Sequence, residues 1–238
     1  MNRSIWIGYE PREADAYLVC VSSIRAHCPD PPPIRPLILE QLRLAGLYAR
    51  PSHQRNGRMF DEISGAPCST EFAISRFLTP ILAKTGWALF MDCDMLARAD
   101  IRDLFEQADP RKAVLCVQHN HVPAKVFKMD DQIQLRYRRK NWSSVMLFNC
   151  DHPANKKLTL GLVNSLPGRD LHAFCWLEDS EIGSLRADWN HLEGETAALL
   201  DPKIVHFTNG IPRMPGYEVS PFAEEWRSRL WSELGHGA

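Results

Sequence analysis

The chain has 238 residues, 45% of them hydrophobic and 24% charged, enough for an α/β domain with a full core and no need of a disulfide or metal to fold. A formal net charge of −1 and a pI near 6.8 give no pull toward nucleic acid or anionic lipid. Seven cysteines without a CxxC pair or zinc-ligand spacing read as reduced thiols; with no signal-peptide h-region and no apolar run of membrane-spanning length, the expected place is the cytoplasm, peripheral membrane attachment remaining open.

Ser4 to Tyr9 (SIWIGY) predicts a short buried strand that ends before Pro11. Tyr17, Leu18, Val21, Ile24 and Cys28 recur at helical spacing, predicting a helix over 13–28 that the run PDPPP stops. Residues 34–39 (IRPLIL) predict a second strand, and Pro36 puts it at a sheet edge or a break. This strand–helix–strand opening suits a nucleotide-binding α/β sheet. The turn-rich stretch 50–68 reads as a loop. A helix is expected from Ser69, as N-cap, to about Lys84, carrying Arg76 and kinked by Pro80.

Trp87 to Met91 predicts a strand that runs into Asp92-Cys93-Asp94. Beyond it come a helix over 101–107, a strand over 113–117 and a polar, basic stretch over 120–143. In that stretch Arg136, Arg138, Arg139 and Lys140 read as a solvated face, with a phosphate-facing patch as the minor alternative. A strand over 145–148, a helix over about 154–166, a mixed segment over 170–193 and a strand over 203–207 follow. The final helix starts at Ser220, with Pro221 in its first position and Phe222, Trp226 and Leu230 on one face. No repeat or linker interrupts the chain, so one domain is expected.

Asp92 and Asp94 carry the chemistry. Two carboxylates two residues apart lie on one side of an extended chain, and hard dications such as Mg²⁺ or Mn²⁺ take carboxylate oxygens while leaving places for phosphate and water. A bare DxD is also met as a turn or helix-cap pair. Here an apolar strand delivers it to the edge of the sheet where α/β proteins bind ligands. Phosphatases of the haloacid-dehalogenase type place a nucleophilic and an acid aspartate in a similar DxDx(T/V) pattern. Leu96 stands at the last position of that motif, and the strand lies far from the N-terminus. His206, on the late strand KIVHF, faces a turn with Asn209 and Gly210 where backbone can approach a phosphate.

The opening strand and helix, the Arg-bearing segment F-A-I-S-R-F, the strand ending in DxD, the strand V-M-L-F-N and the late V-H-F-T-N-G together resemble the family 8 glycosyltransferases. These are the glycogenin-like and bacterial galactosyltransferase-like enzymes, and the resemblance extends over about residues 4–217. It implies a GT-A fold, a Rossmann-like nucleotide-binding sheet flanked by helices, with a nucleotide-binding half over about 1–118 and an acceptor and sugar half over about 119–238. It implies transfer of a hexose from a nucleoside-diphosphate sugar, commonly UDP-linked, to a hydroxyl acceptor with retention. Mn²⁺ (or Mg²⁺) would be held by Asp92, Asp94 and His206. Arg76 would contact donor phosphate or sugar, and Ile7, Gly8 and Tyr9 would line the nucleoside pocket. The chain departs from the family pattern in three places. Trp142 stands where the family has Asn, followed by Ser143 and Ser144, which alters the sugar pocket. Glu178 and Asp179 are the nearest match to the family's DQD triplet, as candidates to stabilise an oxocarbenium-like centre or orient the acceptor; a helix-cap role fits them equally. The phosphate-binding Lys after HFxxG is missing; Arg213 is the candidate to take its place as a charge on the donor phosphate, beside the backbone at Gly210. A divergent branch is implied. A non-catalytic nucleotide-sugar-binding protein is the further alternative.

Overall fold

The computed structural model describes residues 2–119, 139 and 141–235. Arg136, Arg138 and Lys140 of the basic run lie outside them. In chain order the elements are β1 (Arg3–Gly8), α1 (Ala14–His27), β2 (Ile34–Leu37), α2 (Leu39–Leu44), β3 (Ser52–Arg55), β4 (Arg58–Asp61), β5 (Ala66–Pro67), α3 (Thr79–Ala83), β6 (Trp87–Met91), β7 (Met95–Ala97), α4 (Arg102–Phe105), β8 (Val114–Cys116), β9 (Val145–Asn149), α5 (Leu160–Ser165), α6 (Gly168–His172), β10 (Ile182–Ser184), β11 (His191–Leu192), β12 (Ile204–His206) and α7 (Ala223–Glu233).

Six strands form the central sheet in the order β10-β8-β9-β6-β1-β2. β1 pairs in parallel with β2 and β6, while β9 runs antiparallel to β6 and β8. All five residues of β6 are buried, as expected for a continuous apolar run packed on both faces of a central strand. β2 is an edge strand, where Pro36 removes a donor the sheet does not need. A second sheet, β11-β12-β7, closes the strand carrying His206 against the residues after the DxD. A smaller core of Val19, Leu96, Val205, Phe207, Ile211 and Trp226 joins this sheet to α1 and α7.

Several expectations are corrected. The stretch 50–68 is not a plain loop: β3, β4 and β5 form an antiparallel sheet. Its hairpin turns on Asn56 and Gly57, both at positive φ (52° and 72°), between the paired Arg55 and Arg58. Asn-Gly is the pair that a two-residue turn of this hand favours. The helix expected over 69–84 is instead a run of turns, a 3-10 segment Ser75–Leu78 and the short α3. Pro80 sits in the first turn of α3, where its missing N–H costs nothing, and kinks no helix. Ser69 caps no helix; its carbonyl accepts from Arg12 at 3.0 Å. The helix expected over 154–166 is split into a 3-10 turn, Pro153–Lys157, and α5, because Thr159 caps a new start through Leu162 N–H at 3.1 Å. Ser220 and Pro221 lie ahead of α7. Phe222, at φ 64°, precedes its first residue, held by packing under the Arg98 guanidinium (4.8 Å to the ring centroid). The shared face persists: Trp226 is buried, with Phe222 and Leu230 packed beside it.

Gly8 ends β1 at a close approach. A Cβ there would lie 2.4 Å from the Phe72 ring. Phe72 is fully packed and, with Phe90, lies against the Arg76 guanidinium, 5.3 and 5.0 Å from the ring centroids. Gly8→Ala is therefore expected to destabilise the protein by about 1–3 kcal/mol, the usual range for overpacking a filled core. Urea denaturation of the variant and wild type measures it; an unchanged midpoint would contradict the packing.

Candidate functional site

The DxD lies at the C-terminal edge of β6, one residue beyond the last paired strand residue. The Asp92 N–H donates to Ser144 O at 3.0 Å, carrying the β6–β9 ladder one step further and fixing the first aspartate. Cys93 turns into the core, 1% exposed, so its two neighbours turn the other way, as alternation along an extended chain requires. The carbonyl of Asp94 accepts from Phe207 N–H at 2.9 Å, and His206 pairs with Met95 in the antiparallel register of β12 and β7. Distant in sequence, His206 and Asp94 are thus brought together by one strand pairing.

One ligand atom each from Asp92, Asp94 and His206 lies within 4.8 Å of the others. His206 Nε2 is 3.3 Å from Asp94 Oδ1, and Arg76 Nη1 is 2.8 Å from Asp92 Oδ1. Both are close charge contacts whose angles fall short of a hydrogen bond, so both buried Oδ1 atoms lack a hydrogen-bond donor. Unmet lone pairs on buried carboxylates are costly, and a cation is the partner that would satisfy two at once.

The electrostatics agree. Burial drives the Asp92 carboxyl up to about 6, Asp94 adds to the rise, and Arg76 and His206 oppose it. Glu13, half-buried on the same cavity, is driven up to about 7 by burial and then by the charge of Asp94. For Asp94 burial acts upward too, but the His206 imidazole outweighs it and the carboxyl lies below its ordinary value. His206 is raised by the same partnership, against its burial. A low-dielectric pocket with three carboxyls in mutual conflict is one in which a dication removes the conflict.

These residues line a cavity of about 440 Å³, in the range of small-molecule sites. Arg12, Glu13 and Arg58 border it, with Ser69, Thr70 and Arg76, the serines Ser143 and Ser144, His172, and the segment from His206 to Ile211, including Gly210. Gly210 has no room for a side chain: a Cβ would lie 2.6 Å from the Tyr217 ring.

The remaining predicted residues are placed elsewhere. Ile7 is fully buried in the core, Gly8 is covered by Phe72, and Tyr9 packs edge-on to Tyr17 at 5.4 Å; none of the three lines this cavity. Trp142 turns outward from it, its indole N–H donating to His119 O at 3.0 Å. Arg213 is engaged by Asp15 and the carbonyl of Arg12. Glu178 and Asp179 are exposed and line no part of the cavity. Glu181 accepts from Glu178 N–H at 2.8 Å, a helix-start arrangement, and Asp179 pairs with Arg139. The carboxyl that joins the aspartates in the cavity is Glu13, and the charges of Arg12 and Arg58 border it as well.

Asn190 and His172 had no motif to announce them. Asn190 is fully buried; its Oδ1 is 3.1 Å from His206 Nδ1 and its Nδ2 donates to Ser144 Oγ at 2.8 Å. With its amide nitrogen committed to Ser144, Asn190 accepts from His206 Nδ1–H through Oδ1, which turns Nε2 toward Asp94 and makes it the ring atom available to a metal once deprotonated. Such outer contacts orient imidazole ligands. Asn190→Leu is expected to weaken Mn²⁺ binding about 10–100-fold, read by calorimetry, with the fold kept. Unchanged affinity would mean that His206 does not need this orientation.

No protein-family model matches the chain. Among solved structures it is similar to the bifunctional glycosyltransferase WbbM (TM-score 0.63, 14% identity, 98% of this chain and 51% of that one). It is also similar to the galactosyltransferase LgtC (0.59, 15%, 96% and 95%) and to the glycosyltransferase GlyE of Streptococcus pneumoniae TIGR4 (0.60, 14%, 98% and 62%). The chain thus spans about half of WbbM and nearly all of LgtC, and the fold it shares with them is GT-A. Protein CDI of Arabidopsis thaliana is 44% identical over 232 residues, covering 95% of this chain and 85% of the relative. At that identity and coverage, the chain belongs to the same family as Protein CDI, on a GT-A fold.

Proposed function

We propose that the chain is a dication-dependent glycosyltransferase of the family 8 type, moving a hexose from a nucleoside-diphosphate sugar, UDP-linked, to a hydroxyl acceptor with retention. The observation that carries this reading is the convergence of Asp92, Asp94 and His206, two of them with donorless buried oxygens, at the ligand-binding edge of a GT-A sheet. Among the fold's solved relatives are glycosyltransferases named as such. A phosphatase of the haloacid-dehalogenase type gives His206 no place, and Leu96 does not fit its motif.

The residues fit a hard dication, Mn²⁺ or Mg²⁺, which would be held by Asp92, Asp94 and His206 and would supply Lewis-acid stabilisation of the departing diphosphate. The protein's own part is positional. Arg76, buried against Phe72 and Phe90, contributes a fixed positive charge beside that leaving group. Its Nη1 also donates to Ser143 O at 2.9 Å, so it cannot swing away as charge builds. Gly210 lets the backbone approach closely. The acceptor proton would pass to the departing phosphate, since Glu178 and Asp179 stand outside the cavity.

The test is a thermal-shift panel of nucleoside diphosphates and their sugars, with and without Mn²⁺. A ligand that binds only the native state raises its melting temperature. UDP and a UDP-hexose are expected to shift the transition only with metal present. The Mn²⁺-dependent shift should also shrink as pH falls, first as His206, held above its ordinary value, takes a proton, and then through about 6 as Asp92 does. A panel with no metal-dependent shift at neutral pH would overturn the reading, and UDP binding without turnover on any acceptor would favour the non-catalytic alternative.

A further inference from the structure

The sheet β3-β4-β5 has two unlike faces, because side chains alternate along a strand. Met59 packs in the core and Asp61 is fully buried on Arg50, so these two residues of β4 mark its inner face. Arg58 and Phe60 lie on the outer one. The register sets Arg55 of β3 opposite Arg58 and His53 opposite Phe60. The outer face is therefore built round one half-buried aromatic ring. The Arg55 guanidinium stands over that ring, 5.3 Å from its centroid, and the His53 ring leans on it with centroids 5.2 Å apart. Glu62 lies 3.3 Å from His53, whereas among the described residues no carboxylate pairs with Arg55, which is exposed.

This face leads into the cavity. Arg58 borders the cavity, and Cys68 N–H donates to Met59 O at 2.7 Å, which brings the chain after β5 alongside β4 up to Ser69 in the cavity wall. Phe60 stands two residues from Arg58, about 7 Å along the strand. A linear molecule with one end in the cavity on this side lies across the platform of Phe60, His53 and Arg55. A diphosphate gains nothing from aromatic rings, and a neutral sugar chain leaves the guanidinium unused. A sugar acid uses both. The C–H face of its ring lies against an aromatic surface, and a guanidinium takes its carboxylate through two parallel hydrogen bonds. We propose that the outer face of the β3-β4-β5 sheet is an acceptor subsite for an acidic glycan, with a sugar ring on the Phe60 platform and its carboxylate on Arg55. This inference rests on the glycosyltransferase reading in calling the glycan an acceptor, and it deepens that reading by naming the acceptor's chemical class.

The experiment titrates three probes into the full chain by calorimetry, with and without UDP and Mn²⁺. They are hexagalacturonate, its fully methyl-esterified form, which keeps the rings and loses the charges, and hexaglutamate, which keeps the carboxylates and has no sugar. Hexagalacturonate is expected to bind, and the other two about tenfold more weakly or worse. Arg55→Gln should weaken hexagalacturonate about tenfold, the loss of a charge-assisted pair. Phe60→Leu should weaken it about fivefold, and Phe60→Trp, which keeps an aromatic surface, should restore it. Melting temperatures show that each variant is folded, and UDP–Mn²⁺ affinity is measured on each. No binding of hexagalacturonate overturns the proposal. So does equal binding of the ester, or of hexaglutamate, which would make the face a site for acidic peptides. A loss of UDP affinity matching the loss of glycan also overturns it, by placing the effect inside the cavity. The glycosyltransferase reading is judged separately, by UDP and Mn²⁺ on the wild type; where that fails, the titrations without nucleotide still decide whether the face binds an acidic glycan.

Discussion

Asp94→Asn and His206→Ala are each expected to remove the Mn²⁺-dependent rise in melting temperature and to cut metal-dependent nucleoside diphosphate release by about 10³-fold, the rate equivalent of several kcal/mol of lost charge stabilisation. The effect is large because no nearby group replaces either ligand. Asp94 Oδ1 and His206 Nε2 are the inner pair of the cluster, 3.3 Å apart, and Asp92 is already drawn toward Arg76. Glu13 shares the cavity, but its raised carboxyl holds a proton near neutral pH and makes a poor substitute ligand. Both variants should also be less stable in the metal-free protein. Asp94→Asn removes a carboxylate that the His206 imidazole holds below its ordinary value, and with it a charge contact that stabilises the fold. His206→Ala leaves a hole and the Asn190 amide without its imidazole partner. Full metal-dependent turnover in either variant would sink the metal assignment; an Asp94→Asn protein as stable as wild type without metal would contradict the charge argument.

The second large effect lies away from the chemistry. Arg50 and Asp61 are fully buried and joined by a two-pronged contact, with Nε to Oδ1 at 2.9 Å. Arg50 also donates to the carbonyls of Val163 and Leu166 at 2.8 and 2.7 Å, and Asp61 accepts from Ser64 N–H at 2.7 Å. Ser64 Oγ in turn accepts from Gly168 N–H at 2.8 Å, at the start of α6. Arg50→Met or Asp61→Ala alone leaves a buried charge uncompensated, and should cost about 3–5 kcal/mol by urea denaturation. The double variant Arg50→Met/Asp61→Leu should recover most of that loss, since an apolar pair of similar volume needs no partner. Burial acts to raise the Asp61 carboxyl, but Arg50 and Ser64 outweigh it and hold it below its ordinary value. The pair therefore stabilises the fold above the ordinary carboxylate range, and that contribution fades as pH falls through the lowered value. A double variant as unstable as the singles would show that packing, not charge compensation, sets the effect.

The middle of the sheet was readable in the sequence because β6, β8 and β9 are buried on both faces: WALFM, VMLF and AVLCV are apolar runs with no alternation to misjudge. Pro36 pointed to an edge or a break, and β2 is the edge; β10, three residues within a mixed segment, was not called. The Asp92–Asp94–His206 cluster was readable for a related reason: each of the three sits at or beside the end of an apolar run. The hairpin over 52–61 was missed although its Asn56-Gly57 pair is a strong turn signal, because strands of four residues give little periodicity to notice. Asn190 and His172 were not readable at all. Their places come from partners supplied by other elements, Ser144 and His206 for one, Ser143 for the other. Glu178 and Asp179 mislead for the opposite reason, since a pair of acids at a helix start has the same appearance as a pair in a site.

The pairing of β12 with β7 would make a bound dication a sensor of whether the C-terminal third of the chain is docked. Asp92 and Asp94 stand in the short connection from β6 to β7, whereas His206 is held there by the packing of Val205, Phe207 and Trp226 on Val19 and Leu96. Releasing that segment would remove one of the three candidate ligands without unfolding the central sheet. Docking and metal capture would therefore be linked equilibria, each raising the population of the other by mass action. Hydrogen exchange of the amides from 204 to 207 should slow on adding Mn²⁺ by more than that of the amides in β6. The ion would then hold shut, from the inside, a closure built across the whole length of the chain.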